Sequence, residues 1–418
     1  MKQTIVIAAM TAGMSLGVAG CNQDSEDGFD PLGAPAADGG DAADGGDAAD
    51  GGDAADGGDA DGGDGGSAGG QDALTPQQVR TYLSRIAPYL VGRSLTYEEG
   101  VLIDAQGEAV LYDIVEGWTG TPGFGDAIRY LIQTELHASG SAGGVDFELP
   151  GNLAYEVATQ DLPWSTILTA DYCVDELGAH IECDTGSPYT AGVLTTKAYL
   201  IPNKGRFNLS RAKLMLEVFA CRIYPMEHEV QPPLEKDALI PMFQAENASE
   251  QTVEEAQGGF GNGQGCYTCH SQFGAHAQLF VRFDQDGNWR SDATGVQAVD
   301  DELGRSFDGL YASHFDDPLA SANEQTQVFG QTVANLAEAA EVITDNRLFR
   351  ECTVKNVLTH PFGLAAGVSD DVEEDLIGRL TDEVEAVSPD ATIAEYVLEI
   401  FTDDQVVRTT LAGLEDEQ

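Results

Sequence analysis

Between Asn22 and Asp72 the chain holds 15 acidic residues, no lysine or arginine, and only Phe29 and Leu32 as large apolar side chains. Such a segment cannot bury enough apolar surface to offset the entropy of ordering its backbone. Asp-Gly-Gly-Asp-Ala-Ala repeats from Asp38 and degenerates through Asp61–Gly66. A calcium-binding coil would also use Asp and Gly, but this period lacks the apolar residue that packs the interior of a stacked repeat. The sequence therefore predicts a disordered tether over 21–73, with a root-mean-square span of roughly 40 Å. Any core must lie beyond it.

The residues before the tether say what it is tied to. Lys2 gives a short positive start, Ile5–Ala19 an apolar run, and Val18-Ala19-Gly20-Cys21 a lipoprotein cleavage site. The apolar run is short against the roughly 20 residues a spanning helix needs, which reads as a signal peptide over 1–20. Cys21 is then the lipid attachment site, and several acyl chains anchor firmly where one would be marginal. Asn22 leaves outer-membrane sorting as the default, with the protein on the periplasmic or cell-surface side. The membrane is thus an expected partner, through the lipid anchor.

Residues 73–418 carry 56 acidic and 19 basic residues, a net charge of −37. That excess argues against nucleic acid as a partner. It reads as a solvated acidic surface, the alternative being an acidic face for a basic redox partner.

The pattern along this part is mainly α. Thr75-Pro76-Gln77-Gln78 is a capping box with proline at the first helical position, followed by Val79, Tyr82, Leu83, Ile86 and Leu90 on one stripe. Leu95-Thr96-Tyr97-Glu98-Glu99 opens a second helix in the same way. Further helices are expected at 107–117, 124–137, 163–170, 206–220, 331–342 and 346–359. Ser369 caps a segment with Val372, Leu376, Ile377, Leu380 and Val384 on one face, and Thr392 caps a last helix with Ile393, Tyr396, Val397, Ile400 and Phe401. The stretch 222–265, rich in Pro, Gly, Gln and Glu, reads as a connection. The expected organisation is an N-terminal helical domain over 74–221 and a helical cytochrome c-like haem domain over 266–418.

The haem reading comes from Cys266-Tyr267-Thr268-Cys269-His270. Two thiols at this spacing reach the two vinyl groups of one haem, and the next imidazole stands under the iron. Cys266 and Cys269 would form the thioethers of one haem c, and His270 would be the proximal iron ligand. A thioredoxin-like pair needs a βαβ setting and a zinc site a second close ligand pair, and neither is evident. A plain disulfide, or free thiols beside an incidental histidine, is the bland alternative. For the distal position, His276 lies too near His270 and reads as a solvated loop residue. His314, in Tyr311-Ala312-Ser313-His314-Phe315, is the first candidate. His360 suits a helix-end role, and Met226, His228 and Met242 come from the connection.

A family resemblance rests on the order of several runs. They are Leu90-Val91-Gly92-Arg93 with Glu98, Ile167–Tyr172, Gly192–Thr195, Gly205-Arg206, Leu216–Cys221, Phe283–Arg290, Phe307-Asp308-Gly309 and Leu348–Cys352. Together they resemble the planctomycete-type cytochrome c-like family of exported bacterial proteins, across most of 75–365. Phe273–Ala277 and Thr359–Gly363 depart from that pattern. The resemblance implies a helical architecture around one Cys-x-x-Cys-His haem site.

Four cysteines remain, an even number in an exported chain. Cys173 with Cys183 would bracket a short polar excursion. Cys221 with Cys352 would tie the helix before the connection to a helix after the motif. Three function classes stay open: a tethered electron carrier with an unidentified redox partner, a five-coordinate haem enzyme of peroxidase-like chemistry, and a structural surface lipoprotein with a non-functional motif. No catalytic constellation stands out, which favours the carrier over the enzyme.

Overall fold

The computed structural model describes residues 73–204, 208–223, 276–291, 298–300, 305–307, 324–359 and 374–416. The protein is mainly α-helical. Helix α1 (Pro76–Val91) begins where Thr75 accepts the Gln78 amide and the Gln78 side chain returns to the Thr75 amide, and it ends at Gly92, whose φ of 65° suits glycine. Thr96 and Glu99 repeat the box for α2 (Tyr97–Gln106). A 3₁₀ turn over Gly107–Val110 then leads into α3 (Leu111–Thr119), where one continuous helix was expected. Helix α4 (Pro122–Glu135) crosses α1 closely. A Cβ at Gly123 would come within 2.5 Å of the Val91 carbonyl oxygen, so this crossing requires glycine.

After the hairpin β1–β2 (Ser141–Ala142, Val145–Asp146) comes α5 (Leu149–Thr159), a helix the local pattern does not announce. Its second residue is Pro150, followed by Gly151, a pair that reads as a turn. At the start of a helix, however, the missing proline N–H costs nothing. The short helix α6 (Thr166–Thr169) precedes the antiparallel pair β3–β4 (Cys173–Val174, His180–Ile181), in which Val174 faces His180. Then come α7 (Lys197–Leu200) and α8 (Leu209–Ala220).

Beyond the motif the described strands are β5–β6 (Ala298–Asp300, Arg305–Phe307) and β7–β8 (Thr326–Val328, Gln331–Val333), each pair an antiparallel hairpin. Strand β8 occupies the start of the helix expected over 331–342. The helix itself, α9 (Leu336–Asp345), begins one residue after Asn335, whose side chain accepts the Glu338 amide at 3.0 Å. Helices α10 (Arg347–Thr359), α11 (Glu374–Val387), α12 (Ile393–Thr402) and α13 (Asp404–Asp416) complete the described chain.

These helices do not separate into a body before residue 221 and another after 266. All described elements belong to one compact unit over Leu74–Gln418, and their buried apolar side chains form one core. Helix α12 packs against α3, and α10 against α8. The buried Tyr82 hydroxyl on α1 donates to the Phe401 carbonyl at the end of α12, at 2.8 Å. Within the described residues, the connection over 222–265 therefore does not divide the core. Among the described residues, no helix is long and apolar enough to cross a membrane.

Candidate functional site

The residues nearest the Cys-x-x-Cys-His motif that the structure describes begin at His276. From there the chain is buried almost continuously: His276, Ala277, Gln278, Leu279, Phe280, Val281 and Phe283 all lie inside. His276 is therefore not the solvated loop residue its sequence context suggests, and burial pushes its imidazole pKa down to about 4, leaving it neutral at physiological pH. A 3₁₀ turn over Gln278–Phe280 brings the segment against α7 and α8, with the Phe280 ring 6.1 Å from that of Tyr199.

The run Phe283–Arg290 closes on itself. The Asp284 carboxylate accepts the backbone amides of Asp286 (2.9 Å) and Asn288 (2.8 Å) and the Nε of Arg290 (2.7 Å). Gly287 supplies the positive φ of 71° that the turn needs, and the Trp289 amide bonds the Thr185 carbonyl at 2.9 Å. This tight turn is a structural reason for the spacing of those residues.

Two buried charged groups hold this turn in place. Arg211 on α8 donates to the carbonyls of Leu200 (2.9 Å), Phe283 (3.0 Å) and Asp284 (2.8 Å) and to the Asn208 side-chain oxygen (2.9 Å). Its planar fork suits such divergent acceptors. Asn208, in the left-handed region at φ 58°, also donates from its amide to the Phe280 carbonyl at 3.0 Å.

Glu324 is the second. It is buried, accepts a hydrogen bond from the Tyr189 hydroxyl, and stands 3.5 Å from Arg282. Burial raises its pKa to about 7, against the lowering effects of the Tyr189 hydrogen bond and the Arg282 charge. The Arg282 guanidinium also lies 5.4 Å from the Trp289 ring centroid. The indole Nε1 of Trp289 is buried and has no hydrogen-bond partner among the described residues. The sequence gives no signal for this cluster, whose members come from three distant places and have no motif in common.

The upstream flank is fastened by a disulfide. Cys221, directly after α8, is bonded to Cys352 on α10 across a separation of 131 residues, and Asn356 on α10 donates to the Val218 carbonyl at 3.0 Å. A cavity of about 20 Å³, room for a single water, lies beside the bridge between Leu131, Trp164, Phe219, Phe349 and Val357. A second disulfide joins Cys173 to Cys183 around β3–β4. On that hairpin His180 stacks on Tyr172 at 3.8 Å, with its Nε2 2.6 Å from the Glu156 carboxylate. Burial, then the charges of Glu156 and Asp171, push the Tyr172 phenol up to about 12.

Cys21, Cys266, Cys269, His270, His314 and His360 lie outside the described residues. Among the described residues, no group of three or more His, Cys, Asp or Glu is arranged to hold a metal ion.

No protein-family model matches this chain, and neither does any curated protein or solved structure. The two bridges use Cys173, Cys183, Cys221 and Cys352, which leaves Cys266 and Cys269 outside both.

Proposed function

We propose that the chain is a membrane-tethered lipoprotein that carries one covalent haem c and transfers electrons at the periplasmic or cell-surface side of an outer membrane. Cys21 bears the lipid, and the acidic segment over 21–73 is the spacer that holds the folded part away from the bilayer. Cys266 and Cys269 hold the haem, His270 is its proximal ligand and His314 the distal one. When bound, the haem supplies a one-electron couple whose potential its ligands and surroundings set. The likeness to the planctomycete-type cytochrome c-like family belongs to the same proposal.

The observation that carries the reading is the Cys-x-x-Cys-His run, whose two cysteines are not used by the two disulfides found among the described residues. Two thiols beside an imidazole form the donor set that a c-type haem requires. The framework supports a carrier because both flanks are fastened, one by Cys221–Cys352 and the other by the buried segment from His276. Six residues reach at most about 20 Å, so His270 stays within that distance of the core. An electron carrier needs ligation that stays similar in both redox states, and anchorage of the chain on either side of the motif favours that.

The test is covalent attachment. Protein purified from a host with cytochrome c maturation should keep a haem stain through denaturing electrophoresis. The Cys266→Ser/Cys269→Ser protein should lose the stain. A colourless wild-type protein from such a host overturns the proposal.

A further inference from the structure

A surface helix of a folded protein normally turns its apolar side inward and its polar side to water. Helix α2 departs from this. Gly100 and Ile103 face the core, yet the side turned to solvent carries Tyr97, Val101 and Leu102, which are 83%, 48% and 43% exposed. With Ala105, also exposed, Tyr97 and Val101 form a stripe at spacings of four and eight residues, and Leu102 lies three residues from Ala105 at its edge, beyond the exposed Glu98. The helix is apolar on both sides, and its core contacts account for only one of them. Three large apolar side chains exposed together on one short helix, bordered by Glu98 and Asp104, have the make-up of an interaction site.

The charge around this face decides what can cover it. Residues 74–135, which include α1–α4, hold eight carboxylates, four arginines and no lysine. Arg80, Arg93 and Arg129 are each paired with a carboxylate, Asp104, Glu99 and Asp126 respectively. Glu98 is exposed on the same side of α2 as Tyr97 and Val101. A second copy would bring the same acidic surroundings against themselves. The segment Asn22–Asp72, with 15 acidic residues and no basic one, is repelled in the same way, as is an anionic lipid surface. A basic partner meets attraction at the rim and apolar contact at the centre, the usual anatomy of a specific interface.

We infer that the Tyr97–Val101–Leu102 face of α2 docks a basic protein partner, which inserts an apolar side chain among these three and places lysines or arginines against the surrounding carboxylates. This needs nothing from the haem reading and stands or falls separately.

The probe is a synthetic helical peptide with leucines at positions i, i+4 and i+7 and lysines beside them, plus a counterpart with glutamates in place of lysines. The full chain carries Tyr97→p-benzoylphenylalanine for photocrosslinking. The lysine peptide should form an adduct at this position and the glutamate peptide should not. Binding should weaken about tenfold in Val101→Ser/Leu102→Ser, with an unchanged melting midpoint because both side chains are exposed. It should weaken further in about 0.3 M salt. Equal affinity for the double variant overturns the inference. So does a crosslink from position 97 in the absence of peptide, whether to a second copy, to phospholipid vesicles or within the same chain.

Discussion

The Arg282 guanidinium stands 3.5 Å from the Glu324 carboxylate and also donates to the Ser291 carbonyl at 2.7 Å. One side chain thus brings Ser291 and Glu324, the described ends of the 292–323 stretch, to a common point, and Tyr189 bonds Glu324 there as well. This arrangement has a pH signature. The folded-state pKa of Glu324 is about 7, above its ordinary 4.5, because burial disfavours the charged form. Its contribution to stability is therefore fully present below about pH 4.5 and is lost as pH rises through 7. Glu324→Gln should remove that loss. Thermal unfolding of both proteins at pH 5 and pH 8 should show the wild type losing more stability, by an amount on the order of 2–3 kcal/mol. Parallel pH dependences would show that Glu324 does not titrate in that window.

Arg211 should be among the most sensitive side chains of the fold. Truncation in Arg211→Met would leave the buried acceptors at Leu200, Phe283 and Asp284 without this donor. A loss of about 3–5 kcal/mol is expected in urea unfolding. Arg211→Lys should recover little of it, because a single ammonium cannot serve acceptors that diverge around a planar fork. Full recovery by lysine would mean that charge, and not the fork geometry, is what the site requires.

The two disulfides should differ in weight. Loop-closure entropy gives about 5 kcal/mol for a loop the size of that closed by Cys221–Cys352 and about 3 kcal/mol for one the size of the Cys173–Cys183 loop. Cys221→Ser/Cys352→Ser should therefore shift the unfolding midpoint further than Cys173→Ser/Cys183→Ser. The first bridge also joins α8 to α10 across the core, so its loss should expose sites near Cys221 to limited proteolysis. The reverse order of midpoints would contradict this.

If the haem is six-coordinate, its spectrum should say so. The reduced protein is expected to show a sharp c-type alpha band and to bind carbon monoxide poorly, and His314→Ala should move the iron toward high spin. An unchanged spectrum in His314→Ala would remove that ligand assignment. Rapid carbon monoxide binding by the wild type, with turnover of peroxide, would favour the enzyme reading over the carrier.

Short-range patterns were legible where a local interaction decides the outcome. Thr75, Thr96 and Thr392 each start a helix because the capping threonine and the residue three positions on satisfy one another's backbone groups within a single turn. The helix Leu149–Thr159 was missed because Pro150-Gly151 is equally at home in a turn, and only packing against α4 selects the helix. The burial of His276 was missed because a lone histidine among glycine and alanine does not report depth, although the apolar run Leu279-Phe280-Val281 that follows it is the one signal that could have.

What the sequence determined by itself was the mainly helical character, through 3.6-residue periodicity and capping, whereas the Cys-x-x-Cys-His run carries only the haem proposal. What only the tertiary structure decided was the single core shared by helices on both sides of the connection, and the sites built from distant residues. Arg211 meets Phe283, and Tyr189 and Arg282 meet Glu324, only after the helices have packed. A buried charge is tolerated only where the completed fold supplies its partners, and no local pattern records which distant residues those will be.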